Sequence, residues 1–319
     1  MTPTHDVSVC GTYILDILGV PVTEIPPGGS RLFVDEIRLC VAGTGGGSIV
    51  PAARLGMRTM AFGAVGSDEK ADWVIDTMAR DGIDVSCMAR IADCPTSATI
   101  LPIRPDGSRP AIHAKGASRR WRISAESQAR ACQAKVVHLA GVGSMDRMDG
   151  APSLELLRGA KAAGCTTTLD LIMAQREVLD HLLPLMPYVD YFLPSIDETE
   201  ALVGSADPAE CARFFIERGA GACAITLGAS GSFVMTREGR RFMVPAFEVP
   251  VRDTSGCGDA YSGAFIAGLA MEWDLPECAK LATATGAIVA TGLGSGANLR
   301  SLDDTVRAMN TLPVKDLST

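Results

Sequence analysis

The sequence predicts an α/β fold, with a mostly parallel central sheet covered by helices on both faces and a small β-sheet lid. Three observations predict it. Short apolar strand-like runs alternate with helical stretches along most of the chain, the pattern of βα units. Two extended pairs, near 20–41 and 97–114, interrupt that alternation and resemble each other. At 319 residues and 47% hydrophobic, the chain has enough apolar material for a large core.

In chain order, residues 7–10 read as a first strand, followed by GTYILDIL (11–18). Segments 20–25 and 31–41 read as extended arms around the turn PPGGS at 26–30. Residues 48–55 look helical and stop at Gly56; 59–65 is a strand and 70–81 a helix. Residues 97–104 alternate, PDGS turns, and 109–114 return as a hairpin. Strands at 136–139, 166–171 and 191–193 then alternate with helices at 153–163, 176–183, 198–203 and 208–218. A strand at 222–227 leads to an antiparallel pair, 232–236 with 241–245. Long helices of small residues at 260–271 and 276–291 close the fold. The two extended pairs are expected to join as a lid, about 12–41 and 96–116, on a single domain spanning 1–319.

Net charge is −8, from 29 Lys and Arg against 37 Asp and Glu. That balance argues against a nucleic-acid partner, and an anionic substrate would need local positive potential. No apolar run is long enough to span a membrane. The opening MTPTHDVSVCG has no leader pattern, so a cytoplasmic location is expected. Ten scattered cysteines without a CxxC read as buried free thiols. GxxxxGK[ST] is absent, and no GxGxxG follows the first strand.

The chemistry concentrates in DTSGCGDAYSGAF, 253–265. A polar segment, 253–254, reads as a strand end leading into Gly256, Cys257 and Gly258 and then a helix. A helix start leaves N–H groups aimed outward and favours negative charge. Asp259 in that first turn is placed to take a proton from a hydroxyl attacking a phosphoryl group.

This string resembles the signature of the ribokinase-like (PfkB-type) carbohydrate kinases, DTxGAGDxFxxG, with Cys257 and Tyr261 as mild changes. The resemblance covers essentially the whole chain. It implies ATP-dependent phosphorylation of a hydroxyl on a sugar or sugar-like molecule, with magnesium. It implies Asp259 as catalytic base and Gly256, Cys257 and Gly258 as the anion hole. Asp253 would shape the site and help order a monovalent cation, potassium, with Ser255 and carbonyls near 290–295.

Further motifs follow the same resemblance. Gly11 and Asp16 match the family's first loop, where the Asp holds sugar hydroxyls. AGTGGGSIVPAARLG (42–56) matches the first glycine motif, with Gly47 where the family has a sugar-binding Asn and Ser48 as its polar neighbour. Gly45, Gly46 and Gly47 are expected to bring backbone N–H groups to the acceptor. PSIDE (194–198) matches the PNxxE magnesium motif, with Ser195 for Asn and Glu198 kept; Asp197 and Glu200 are fallback acids. Thr226, Gly228 and Gly231 in TLGASGS, and Asn298 in TGLGSGAN, are the expected nucleotide contacts. On the lid, Arg104 and His113 are candidate acceptor contacts, with Arg109 and Lys115 nearby. A homodimer through the lid is expected from apolar Ile25, Leu32, Val34, Ile37 and Leu39. A nucleoside kinase would want lid aromatics, of which there are only Tyr13 and Phe33. A sugar-sensing protein without catalysis would suit Gly47 and Ser195 but not an intact Asp259.

Overall fold

The computed structural model describes residues 3–172 and 175–316. The chain opens with β1 (His5–Gly11), buried at every position except the half-buried Asp6, with its polar His5 and Ser8 hydrogen-bonded to each other at 2.6 Å. It then departs into β2 (Ile14–Val20) and β3 (Glu36–Ala42). α1 (Gly43–Arg54), β4 (Thr59–Val65), α2 (Glu69–Arg80) and β5 (Asp84–Arg90) return it to the main layer. β6 (Ala98–Pro102) and β7 (Ile112–Ala114) form the second excursion. The rest is α3 (Ala125–Ala131), β8 (Ala134–Val142), α4 (Ala151–Ala162), β9 (Thr166–Leu171), α5 (Leu179–Leu182), β10 (Tyr191–Phe192), α6 (Ile196–Val203) and α7 (Pro208–Ile216). β11 (Ala222–Thr226), β12 (Ser232–Thr236), β13 (Arg241–Val244), α8 (Cys257–Ala270), α9 (Leu275–Ala290) and α10 (Leu302–Thr311) complete it.

The main sheet has nine strands in the order β13-β12-β11-β10-β9-β8-β1-β4-β5. It is parallel from β5 to β11, and β12 and β13 run antiparallel. Two apolar clusters cover its two faces, one built on α1, α8 and α9, the other on α4, α7 and β8. The lid is a separate four-stranded sheet, β3-β2-β6-β7. The parallel pairing of β2 with β6 joins the two excursions.

Several boundaries correct the sequence reading. The first arm of the lid is 14–20, starting within GTYILDIL (11–18) instead of at 20; residues 21–35 are irregular. α1 starts at Gly43, five residues before the expected 48. The expected helix at 176–183 is only the four-residue α5 between 3₁₀ turns, because Pro184 and Pro187 interrupt the hydrogen-bond ladder. Residues 253–254 are loop, not strand. β5, α3 and α10 lie where the sequence reading places no element. All ten cysteines are free thiols, and no helix of the described residues is long and apolar enough to cross a membrane.

Candidate active site

A cavity of about 490 Å³ lies between the lid and the carboxyl ends of the parallel strands, where open α/β sheets bind ligands. Two helices begin at its wall. α2, α3, α6, α7, α9 and α10 each have a side chain capping the first turn. α1 and α8, which follow Ala42 and Gly256, have none, and neither do α4 and the four-residue α5. Gly43, Thr44, Gly256 and Gly258 line the cavity, so the unpaired N–H groups and dipoles of two helix starts address one space.

The start of α8 is built for close approach. Gly256 has φ +72° and faces Ser295, with which any Cβ would collide. Asp253 ties this loop down: Oδ1 accepts from Ser255 N (2.9 Å) and Oγ (2.8 Å), and Oδ2 accepts from Gly294 N (2.8 Å). Both oxygens are thus used inside the protein, and Asp253 does not line the cavity. Burial pushes the Cys257 thiol up to about 12, so it stays protonated. Tyr261 stacks on Phe265 in the core.

Asp259 lines the cavity from the first turn of α8. Burial, reinforced by the charges of Glu198 and Asp16, pushes its carboxyl up to about 7. Opposite, Asp16 on β2 is pushed up to about 6, chiefly by burial and opposed by a hydrogen bond from Thr99. Asp170, at the end of β9, is buried and accepts from Ser262 Oγ at 2.9 Å; burial and then the charges of Glu198 and Asp259 raise its pKa. Glu198 closes a capping box: its Oε2 accepts from Ser195 N and Oγ, both at 2.7 Å, and burial raises its pKa. Four carboxylates of raised pKa thus share one cavity. Among the described residues no three His, Cys, Asp or Glu side chains form a direct metal cage. This fits magnesium, which keeps several waters and takes few protein carboxylates; a divalent cation near Glu198 and Asp170 would relieve their repulsion.

One wall of the cavity is a row across the lid. Cys40, Asp16, Thr99 and His113 are register partners on β3, β2, β6 and β7, and lateral partners share a face. Thr99 Oγ1 and His113 Nδ1 are hydrogen-bonded at 3.1 Å. Burial and the nearby Lys115 hold the His113 imidazole below its usual pKa, hence neutral at pH 7. The alternate row, Leu39, Ile17, Ile100 and Ile112, faces outward.

Other expected contacts are placed differently. Gly45, Gly46 and Gly47 lie inside α1, buried, instead of forming an open loop. The Gly46 N–H is spent on Thr12 O (3.1 Å), and Ser48 Oγ bonds back to Thr44 O (2.6 Å). Gly47 instead makes room for Asp259, since a Cβ there would lie 2.5 Å from Asp259 Oδ2. Arg104 sits exposed on the β6–β7 turn, away from the cavity, whereas Arg109 lines it and donates to Thr254 Oγ1. Thr226 lines the cavity; Gly228, Gly231 and Asn298 do not. Gly231 packs against the Val244 carbonyl, and Asn298 Nδ2 donates to Thr291 Oγ1 (2.9 Å). Asp197 and Glu200 stay outside the cavity. Sequence reasoning missed Thr12, Gly43, Thr44, Ser144 and Asp170 on the cavity wall. Of these only Asp170 carried a signal, an acid at the end of an otherwise buried strand. Tyr13 is buried with its hydroxyl on Val9 O (2.9 Å), Phe33 lies exposed, and neither lid aromatic lines the cavity.

Known proteins with this architecture can now be compared. The deoxyribokinase of Salmonella typhimurium is 28% identical over 314 residues, covering 93% of this chain and 96% of that one. The ribokinase of Haemophilus influenzae is 25% identical over 308 residues, covering 94% and 96%. Arabidopsis thaliana ribokinase, solved with ribose and ATP, superposes with a TM-score of 0.84 at 19% identity, covering 97% of this chain and 99% of that one. Residues 6–302 match the pfkB family carbohydrate kinase profile, and the chain belongs to that family.

Proposed function

We propose that this protein transfers the γ-phosphoryl group of ATP to a hydroxyl of a sugar or sugar-like acceptor. The observation that carries this reading is Asp259, a carboxylate with a pKa of about 7 in the first turn of an uncapped helix, in the same cavity as Asp16. Asp16 and Thr99 orient the acceptor hydroxyls under the lid, which excludes water. Asp259 takes the hydroxyl proton as the new O–P bond forms. The bond from the γ-phosphorus to its bridging oxygen breaks, and ADP leaves. The N–H groups of Gly256, Cys257 and Gly258 stabilise the charge on the transferring group. Magnesium, held near Glu198 and Asp170 through water, would neutralise phosphate charge. Thr226, at the end of β11, borders the nucleotide, with Gly228 beyond it.

The test is a coupled ADP-release assay over sugars and nucleosides with the wild type and Asp259→Asn. Release that needs no acceptor, or that prefers nucleosides, would count against the reading.

Two finer features belong to it. A potassium ion among carbonyls of 290–295 would stiffen the loop that Asp253 ties to the anion hole. Rates in potassium should exceed those in a bulky organic cation about two- to tenfold, and equal rates would remove the ion. The outer row of the lid exposes Ile37 and Leu39 beside Ile100 and Ile112, a patch that a second copy would cover. Light scattering at micromolar concentration should report a dimer, and Ile100→Lys a monomer; a monomeric wild type would refute the pairing.

A further inference from the structure

A second cavity, about 520 Å³, lies behind the wall formed by residues 115–120 and 144–147. Its side chains include four cations, Lys115, Arg119, Arg120 and Arg147, against one carboxylate, Asp146. Arg119 is paired with Asp146, and Arg120 donates to the Asp93 carbonyl at 3.2 Å. Lys115 and Arg147 have no ion-pair partner among the described residues. In a chain of net charge −8, this is a local reversal of sign within a concave surface, where field lines concentrate.

The two cavities share their wall. Ser118 and Ser144 line the first, while their neighbours Arg119, Asp146 and Arg147 line the second. Lys115 lines both. Its backbone is fixed, because its carbonyl accepts from Ser97 Oγ at 2.5 Å. Arg109 and Lys115 are the two cations on the wall of the first cavity; Arg109 donates to Thr254 Oγ1, and only Lys115 also lines the second cavity. The carboxylates of the first cavity, Asp16, Asp170, Glu198 and Asp259, would repel an anion placed among them. Lys115 is the point where a ligand in the first cavity meets the cationic one.

We infer that the preferred acceptor carries an anionic group, a carboxylate or a phosphate ester, remote from the attacked hydroxyl and seated on Lys115 at the junction of the two cavities. Arg120 and Arg147 supply the field behind it. The inference rests on the kinase reading for the word acceptor, but the preference for an anion is a binding property and is measured without turnover.

The experiment uses matched trios from four stereochemical series: an aldose, its aldonate and its terminal phosphate. Binding of each to the full chain is measured by calorimetry without nucleotide. At least one anion should bind ten or more times tighter than its neutral parent. Lys115→Met should cost that anion about ten- to a hundredfold, the scale of a lost charged hydrogen bond, and leave the neutral parent unchanged, which also controls for folding. Arg147→Ala should cost a few-fold and flatten the salt dependence. An aldonate as the favoured member identifies a carboxylate, a terminal phosphate the ester. If no anion outbinds its parent, or if Lys115→Met weakens parent and anion alike, the inference is wrong. ADP release is then read separately. An aldonate that binds tightly while neither it nor its neutral parent is ever phosphorylated overturns the kinase reading and leaves the anion preference standing; a terminal phosphate that binds but is not phosphorylated while its neutral parent is turned over is a product, and overturns the inference instead.

Discussion

The two ends of the cavity are built by opposite means. The anion end is backbone: the first turn of α8, a helix buried along almost its whole length and locked by Asp253. The acceptor end is side chains, Asp16, Thr99 and His113, carried one per strand on a thin sheet. A site made of consecutive N–H groups must be written as one run of residues, and its tolerance for change is low. A site made of one residue per strand is spread along the chain, and each member is replaceable. The anion end accordingly matches the family string almost letter for letter, whereas at the other end only Asp16 falls in a matched motif.

The contrast is tested most strongly at Asp259. Asparagine keeps the size but cannot accept the proton, so Asp259→Asn should lower kcat by about 10²–10⁴ with acceptor and ATP affinity retained. If Asp259 only stabilised the helix start, Asn would serve nearly as well. Near-normal turnover would then move the base elsewhere.

A smaller effect is expected where the two ends touch. At Gly47→Ala the new methyl would stand 2.5 Å from Asp259 Oδ2, displacing the base. Misplacement of this order costs roughly 10² in rate, and overpacking costs about 1–3 kcal/mol of stability. Gly47→Asn, which restores the family residue, should be no better. A fully active Gly47→Asn enzyme would show that α1 and α8 separate more readily than their packing implies.

The pH dependence gives the mildest test. With Asp259 at about 7, kcat/KM should fall about tenfold per unit below pH 7 and level off above it. Stability has the opposite sign. The folded pKa lies above the unfolded value, so the folded state holds the proton more tightly and stability is lost as pH rises toward 7. Asp259→Asn should therefore raise the melting temperature more at pH 8 than at pH 5. An equal gain at both would mean that Asp259 is not the strained acid described here.

Much of this was legible in the sequence. Regular strands such as 166–171 and 232–236 stood out because buried parallel strands and hairpins leave unambiguous runs. Glu198, Asp16 and the α8 start were found because they sit in compact strings. Gly45, Gly46 and Gly47 misled because glycines usually mark a loop. Here they allow helix α1 to approach Thr12, Val41 and Asp259, a tertiary demand that no local pattern shows. Arg104 and Arg109 flank the same turn, and only strand register decides which of them reaches the cavity. Asn298 and Gly231 serve their own loops, a role that glycine- and asparagine-rich strings do not advertise.

In the middle of the lid the rows alternate, Asp16, Thr99 and His113 toward the cavity and Leu39, Ile100 and Ile112 toward the outside, because successive residues of a strand point to opposite faces. Two properties are therefore addressed by the parity of a residue number. There, Ile14 and Asp16 of β2, Thr99 of β6 and His113 of β7 line the cavity, and Ile100 and Ile112 meet the outer surface. Either set is free to drift without disturbing the other. Inserting one residue in a lid strand would exchange the two sets at a stroke, whereas the unpaired stretch 21–35 absorbs length changes with neither property altered. New specificities in this scaffold are expected to arise by substitution within strands and by growth or shrinkage between them, and hardly ever by single-residue insertion in β2 or β6.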